Sequence, residues 1–437
     1  MTVFKLNVAQ KRLACLACGL SLFLSGTSAY GLELRAQFNT GVGASDNIAR
    51  APDNEIDETI GVLGVNFGLL EDTSRLSANI RSQFDYTYYA DDTFDNEVVG
   101  GLTGNLDFTV LEERLTWMVQ DNFGQQTSDP FATPNPGNRE DVNFFTTGPT
   151  VNFLPGSRNI LQLSMRYSRI DFEERNTDNE RKSIALQLGR EIRRGMRLSL
   201  NASTEAIEFD NGGLTPDFDR NEGFVRYELN GNRNTLGFDL GVTEVDILGS
   251  TSDGVLARLD WTRELTADTT FVLSGGTSFS DEGDIFRFDQ NASADLRDTV
   301  DVFASAFPFT SNFVSAQYVI SRSRTAINVG MNWREEEYEG GPAIDRVTSG
   351  ANFSLRRDMT QKMFANVSAQ YRRRNFRYLN SADDNVTASA EIGYRFGPAF
   401  NASLQYLYFE RSGDSAIAVA RENRVTLRFF YTPGWGR

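Results

Sequence analysis

Strict alternation, kept up over segments longer than an ordinary strand, is the feature that most constrains this chain. In RLSANIRSQFDYTYYADD (75–92), Leu76, Ala78, Ile80, Phe84, Tyr86 and Tyr88 take one side. Ser77, Asn79, Arg81, Gln83, Asp85 and Thr87 take the other. A period of two belongs to a strand, whose successive side chains point to opposite faces of a sheet. The pattern returns in GNLDFTV (104–110), LQLSMRY (161–167), IALQLGREI (184–192), TLGFDLGV (235–242), TAINVGMNW (325–333), NVTASAEIGYRF (385–396) and RVTLRFFY (424–431). No helix-period segment of useful length interrupts it beyond the N-terminal region.

The connections alternate too. Short ones include EDTSR (71–75), LEER (111–114), PGSR (155–158), RRGMR (193–197), GNRN (231–234), LTADT (265–269), SRSR (321–324), RDMTQK (357–362) and FGPA (396–399). Between them stand long acidic ones, such as SDNIARAPDNEIDE (45–58), SDPFATPNPGNRED (128–141), FDNGGLTPDFDRNEG (209–223) and REEEYEGGPAIDR (334–346). Nine short turns joining hairpins, with a lone strand at each end, give about 20 strands, within a range of 18–22.

Alternation alone would also suit a soluble sandwich or a propeller. Three features favour a membrane barrel. The strands run near the 9–11 residues that a tilted transmembrane strand needs, against five or six in ordinary sheets. Short turns at one end and long loops at the other are the asymmetry of outer-membrane barrels. No blade-length repeat appears. The expected fold is therefore all-β: a closed antiparallel transmembrane barrel with short periplasmic turns and long acidic extracellular loops. One face of each strand would meet lipid and the other a wet lumen, because in hydrocarbon every backbone polar group must be paired within the protein.

Composition supports this reading. With 23% charged residues and a mean hydropathy of −0.38, the chain is no helical membrane protein. Its 33 Phe and 14 Tyr suit sheet. The net charge of −16 excludes a nucleic-acid partner, which would call for a basic footprint. Residues 1–31 read as a signal peptide: Lys5, Lys11 and Arg12 precede the apolar LACLACGLSLFL (13–24), with cleavage expected after Ala29 or Gly31. Cys15 and Cys18 fall inside that stretch, and a lipidated-cysteine reading is disfavoured by the short apolar run before them. The barrel would then occupy 32–437, without cysteine, in the outer membrane of a Gram-negative bacterium.

The chain has no histidine. This removes Ser-His-Asp hydrolysis, Cys-His nucleophiles and the usual zinc sites, and no spacing singles out a carboxylate pair for glycosidase work. The chain is thus read as a non-enzyme that calls for no cofactor. Asn-x-Ser/Thr triplets such as those at 201, 291, 385 and 401 read as inward polar strand faces. DFDRNEGFVRYE (217–228) imitates a calcium loop, with Asp217, Asp219, Asn221 and Glu228 as candidate ligands, although Gly223 falls one position late.

The inward phase of the strands collects Arg35, Arg81, Arg166, Arg226, Arg258, Arg372, Arg395 and Arg428 as pore-lining candidates. Against them stand Glu33, Asp85, Glu191, Glu205, Glu228, Asp239, Asp260 and Glu391. Either the two sets pair across strands and keep the wall polar, or unpaired arginines steer an anionic solute. The longest connection, 280–309, is expected to fold into the lumen as a constriction or to form an extracellular flap. Its charged residues include Asp281, Asp284, Arg287, Asp289, Asp295 and Arg297.

GVGASDNIAR (41–50), and ENRVTLRFFYTP (422–433) after ERSGD (410–414), resemble the outer-membrane β-barrel porins encoded in exopolysaccharide or PEP-CTERM-associated loci. The resemblance covers essentially all of 32–437, and it implies a pore or exit channel for polymers. The chain departs from the usual terminal aromatic: Tyr431 is followed by TPGWGR, so assembly would read Phe429 and Tyr431 internally, or the tail would lie back in the lumen. The partners so implied are outer-membrane lipid and lipopolysaccharide, the barrel-assembly machinery and a polysaccharide. An exopolysaccharide export pore is the first expectation. A general diffusion porin and a non-conducting surface-interaction barrel are the alternatives.

Overall fold

A computed structural model describes residues 32–129, 131–213, 215–281, 283–284, 307–339, 345–378, 381–414 and 419–434. The first five strands are β1 (Glu33–Ser45), β2 (Glu58–Asp72), β3 (Leu76–Tyr89), β4 (Glu97–Leu111) and β5 (Leu115–Gln126). Next come β6 (Glu140–Asn152), β7 (Asn159–Phe172), β8 (Asn179–Arg193), β9 (Met196–Phe209) and β10 (Phe218–Asn230). They are followed by β11 (Asn234–Ile247), β12 (Ser250–Thr266), β13 (Thr269–Ser280), β14 (Phe309–Arg322) and β15 (Thr325–Tyr338). The last are β16 (Arg346–Asp358), β17 (Met363–Phe376), β18 (Ser381–Arg395), β19 (Phe400–Gly413) and β20 (Ala420–Tyr431).

Every strand pairs antiparallel with its sequence neighbours, and β20 returns to β1 from Phe38↔Tyr431 to Ser45↔Arg424. The sheet is a closed barrel of twenty strands, as the turn pattern predicts. Closure leaves no row of unpaired amides at an edge. The register shifts in β4–β5, β8–β9 and β12–β13 all sit beside the short turns. There an extra residue tightens the bend without disturbing the wall. In RRGMR the turn depends on Gly195, whose φ of +79° suits glycine, and a Cβ there would lie 2.3 Å from the Asn230 carbonyl oxygen.

The short turns lie at one end, and the opposite end carries the connections between β1 and β2, between β5 and β6 and between β13 and β14, as far as they are described. One connection departs from the expected long-loop pattern. β11 and β12 are joined at that end by Leu248 and Gly249 alone, both with positive φ. Two-residue hairpins favour such a turn because its twist matches that of the strands.

The outer wall is apolar over its lower two-thirds. Leu63, Leu200, Leu240, Val242 and Met331 point outward and are among the most exposed large apolar side chains of the described residues. Aromatics bound this belt. Tyr86, Tyr167, Trp333, Tyr371 and Tyr406 lie towards the loop end, and Phe108, Trp117, Tyr394, Phe400 and Tyr431 towards the turns. Trp117 Nε1 donates to Thr147 Oγ1 (2.9 Å) and Tyr406 Oη to Asn423 Oδ1 (2.6 Å), giving these rings an apolar body and a polar tip.

At 12 to 17 residues the strands outrun the hydrocarbon they need to cross. Above the upper tyrosines their polarity inverts. Along β11, Leu240 and Val242 face out and are followed by Glu244 and Asp246, while the inward Val245 and Ile247 are apolar. Along β7, outward Met165 and Tyr167 give way to Arg169 and Asp171, with Ile170 and Phe172 turned inside. Three apolar clusters result inside the barrel's upper end. One is Val142, Phe144, Ile170 and Phe172; the second is Ile48, Ile60, Val62 and Tyr89; the third is Ile207, Phe218, Val245 and Phe279. The upper section is built as a soluble barrel is, with its oil inside and its charge outside.

Leu240 lies on the lipid side in mid-strand, so Leu240→Arg is expected to cost about 2–4 kcal/mol of folding stability in a bilayer. Unfolding titrations in lipid vesicles check this, with Ser315→Arg on the inward face expected to cost far less.

Candidate functional site

The lower lumen is lined by amides and hydroxyls. Gln83, Asn105, Gln187, Asn201, Gln370 and Gln405 all face inward by strand register. Cross-strand hydroxyl pairs such as Ser274–Ser315 and Ser368–Ser389, both 2.7 Å apart, tie the wall together.

By register, Arg35, Arg81, Arg166, Arg226, Arg258, Arg372, Arg395 and Arg428 lie on the strand face opposite the apolar belt. Most are engaged. Arg35 meets Glu33 (3.2 Å), Arg258 meets Glu222 (2.8 Å), Arg395 meets Asp358 (2.6 Å) and Arg428 meets Asp85 (3.0 Å). Arg226 lies between Glu228 (3.2 Å) and Asp239 (3.5 Å). Arg166 does different work. Pro149 interrupts β6 without an amide to donate, and the Arg166 guanidinium donates to the Pro149 carbonyl (2.7 Å) and to Thr150 Oγ1 (2.7 Å). Arg81 has no ion-pair partner among the described residues. Four of the eight, Arg226, Arg258, Arg395 and Arg428, meet a carboxylate on another strand, whereas Arg35 pairs within its own.

At the loop end, two connections turn inward and contact the wall. In 46–57, the Asn47 side chain brackets Ala51, accepting from its amide (3.0 Å) and donating to its carbonyl (2.9 Å). This tight turn holds Arg50 at a φ of +53° and aims it inward. Its Nε lies 2.8 Å from Glu422 on β20, and both side chains are almost fully buried. The guanidinium also lies 3.9 Å from the centre of the Phe409 ring on β19 and donates to the Pro134 carbonyl.

Segment 127–139 is folded on Asn138, whose side chain accepts from the Asp129 amide (2.8 Å) and donates to its carbonyl (2.9 Å). Anchored between β5 and β6, it reaches strands roughly half-way round the barrel. Phe131 packs on Phe376 of β17 at 5.0 Å, and Arg411 of β19 donates to the Ala132 carbonyl (2.5 Å). Asn135 donates to the Ala49 carbonyl (2.9 Å), joining the two loops. Beneath them, Arg374 pairs with Asp383 (Nε–Oδ1 2.9 Å), which Arg411 also reaches (3.1 Å). Together these contacts tie the two loops to each other and to β17 and β19.

Of the connection 280–309, the described residues after β13 contact the inner wall. Asp281 takes a two-pronged contact from Arg181 of β8 (2.8 and 2.9 Å), and Asp284 meets Arg220 of β10 (2.7 Å). Gly283 passes so close to the wall that a Cβ would lie 2.4 Å from Ile170 Cδ1. Arg287, Asp289, Asp295 and Arg297 lie outside the described residues.

The four calcium candidates do not converge. Asp217 accepts from the Phe209 amide (2.7 Å), Asp219 and Asn221 point outward on β10, and Glu228 faces the lumen near the opposite end of that strand. An extended chain carries positions one and twelve of a would-be loop about 36 Å apart, at about 3.3 Å per residue. The described residues contain no group of three or more potential metal-ligating side chains.

Arg50, Arg181, Arg220, Arg374 and Arg411 were not among the sequence candidates. The signal that marks their zone is the phase break near each long loop, where apolar residues switch from the outward to the inward set.

No protein-family model matches the sequence, and no curated protein is similar to it at a significant level. Solved structures with a related outline include the siderophore receptor PirA from Acinetobacter baumannii, at 8% identity and a TM-score of 0.47. The match covers 91% of this chain and 80% of that one. PirA from Pseudomonas aeruginosa is similar at 11% identity, with the same coverages and a TM-score of 0.44. A loop-deleted OmpT, an outer membrane protein of Vibrio cholerae, is similar at 9% identity, covering 92% of this chain and all of that one, with a TM-score of 0.33. The barrel assignment rests on the strand pairing itself.

Asp281→Ala would leave Arg181 buried without its carboxylate, and is expected to cost about 3–5 kcal/mol in unfolding experiments in detergent. Asp219→Ala, on the outer surface, is expected to stay within about 0.5 kcal/mol of the parent.

Proposed function

We propose that the chain is an outer-membrane channel, closed in its resting state at the outer mouth by its own loops. The observation that carries this reading is the two-sided wall: a closed sheet with an apolar outer belt around a lumen lined by amides, hydroxyls and paired charges. In a bilayer, such a wall satisfies its backbone internally and leaves a hydrated path.

The solute is read from the lining. Amide and hydroxyl side chains exchange hydrogen bonds with sugar hydroxyls at little cost relative to water, whereas an apolar lining would strip them. This supports a saccharide solute, and the finer proposal is passive export of an exopolysaccharide. A general diffusion porin shares the wall but needs no preference for sugars.

Planar-bilayer recording separates the possibilities. The purified barrel is expected to show mostly closed, low-conductance behaviour, with long neutral oligosaccharides blocking the open current. No current under any condition, including after deletion of 127–139, would contradict the channel.

Arg50→Ala tests that closure separately. Glu422 keeps Arg424 (2.8 Å) and Ser45 (2.8 Å), so the wall retains its pairing while the loop loses its anchor. Each 1.4 kcal/mol taken from the closed state multiplies the open-to-closed ratio by about ten, and at least one such factor is expected in open probability.

A further inference from the structure

The two ends of the barrel carry opposite charge. The loop end holds Asp53, Glu55, Asp57, Asp91, Asp92 and Asp95 in its first two loops alone, against the single cation Arg50. The turn end is basic, most densely on the three turns that join β14 to β15, β16 to β17 and β18 to β19. These carry Arg322, Arg324, Arg356, Arg357, Lys362 and Arg395.

Only two of these six have a carboxylate. Arg395 meets Asp358 at 2.6 Å, and Arg322 is 3.9 Å from Asp268. Arg324, Arg356, Arg357 and Lys362 have no ion pair among the described residues, and all four are exposed. The sector is more than a solvated fringe, because part of it is built. Phe364, buried on the inward face of β17, has the Arg356 guanidinium 5.6 Å and the Arg395 guanidinium 5.0 Å from its ring centre. A cation over a ring face is held there, so the Arg356 fork is presented at the inner lip of the lumen, beside Arg395, whose own fork is taken by Asp358 and the Gln361 carbonyl.

From this we infer that the turn-end lip on β14–β19 is a docking surface for a carboxylate-bearing polymer, a chain of uronate-like units, with Arg356 the first lumen residue that the chain meets. The inference rests on the channel reading and names its substrate class. Guanidinium and carboxylate match as planar, two-pronged partners, and a repeating anion engages several of these cations at once. Arg356 and Arg395 face the lumen by register, away from lipid, which favours a solute over a phospholipid headgroup. The acidic outer end then gives direction. A polyanion is gathered at the basic lip and finds no comparable hold where it emerges.

Calorimetric binding to the detergent-solubilised full barrel tests this without needing a current. Oligogalacturonate is expected to bind at least tenfold more tightly than a neutral maltooligosaccharide of equal length, and more weakly as salt rises. The combined Arg324→Gln, Arg356→Gln, Arg357→Gln, Lys362→Gln variant is expected to lose that preference. These positions are exposed and unpaired, so the fold should survive their exchange, and retained heat-resistant migration confirms it. Equal affinity for the two oligomers, or a preference unchanged in the variant, overturns the inference. Uronate binding by a barrel that never conducts would sink the channel and leave the docking surface standing; conduction with no uronate preference would do the reverse.

Discussion

Everything in this molecule depends on the pairing of β1 with β20. An open sheet of nineteen ladders would still present two rows of bare amides and carbonyls, each costing several kcal/mol in hydrocarbon. The seam from Phe38↔Tyr431 to Ser45↔Arg424 removes them, and it is shorter than the other ladders. It is reinforced at its upper end by side chains. Ser45 and Arg50 from the N-terminal side both bind Glu422 on β20, and the Asn423 side chain donates to Asp46 (2.7 Å). At its lower end, Gln37 donates to Thr432 just past β20, so the C-terminal strand is tied where an aromatic terminus would otherwise end it. Phe429 and Tyr431 lie on the outer face of that strand, at the edge of the apolar belt.

The same loop contact therefore serves two ends. The Arg50–Glu422 pair pins a loop at the mouth and also fastens the closing seam. Both side chains are desolvated, and Ser45, Arg424 and Phe409 surround them and offset that cost. Such a contact can favour one loop position without making the fold depend on it, because the strand ladder beneath is independent of the loop.

Strand number and the outward phase were legible from sequence because both follow from local geometry. Leu76, Ala78 and Ile80 show their side by spacing alone, and the nine turns count the hairpins. The inward placement of Arg81 or Arg372 follows from the same parity. What was not legible is the upper third. There Ile170 and Phe172 break the phase set by Met165 and Tyr167, and a reader expecting lipid on one face takes this for an irregular strand end. The solvent on the outside has changed from oil to water, and the strand's polarity changes with it. Long-range pairs were hidden for another reason. Arg181 and Asp281 are 100 residues apart, and only the curvature of the wall brings them together.

The central claim, that lipid surrounds the lower wall and water the upper, is tested most directly along β11. The described chain has no cysteine, so single nitroxide labels can be placed at 240, 242, 244, 245 and 246 of the barrel reconstituted in vesicles. The account predicts that labels at 240 and 242 collide with oxygen dissolved in the bilayer, those at 244 and 246 with a water-soluble nickel chelate, and that at 245 with neither. Equal nickel access at 242 and 246 would contradict it.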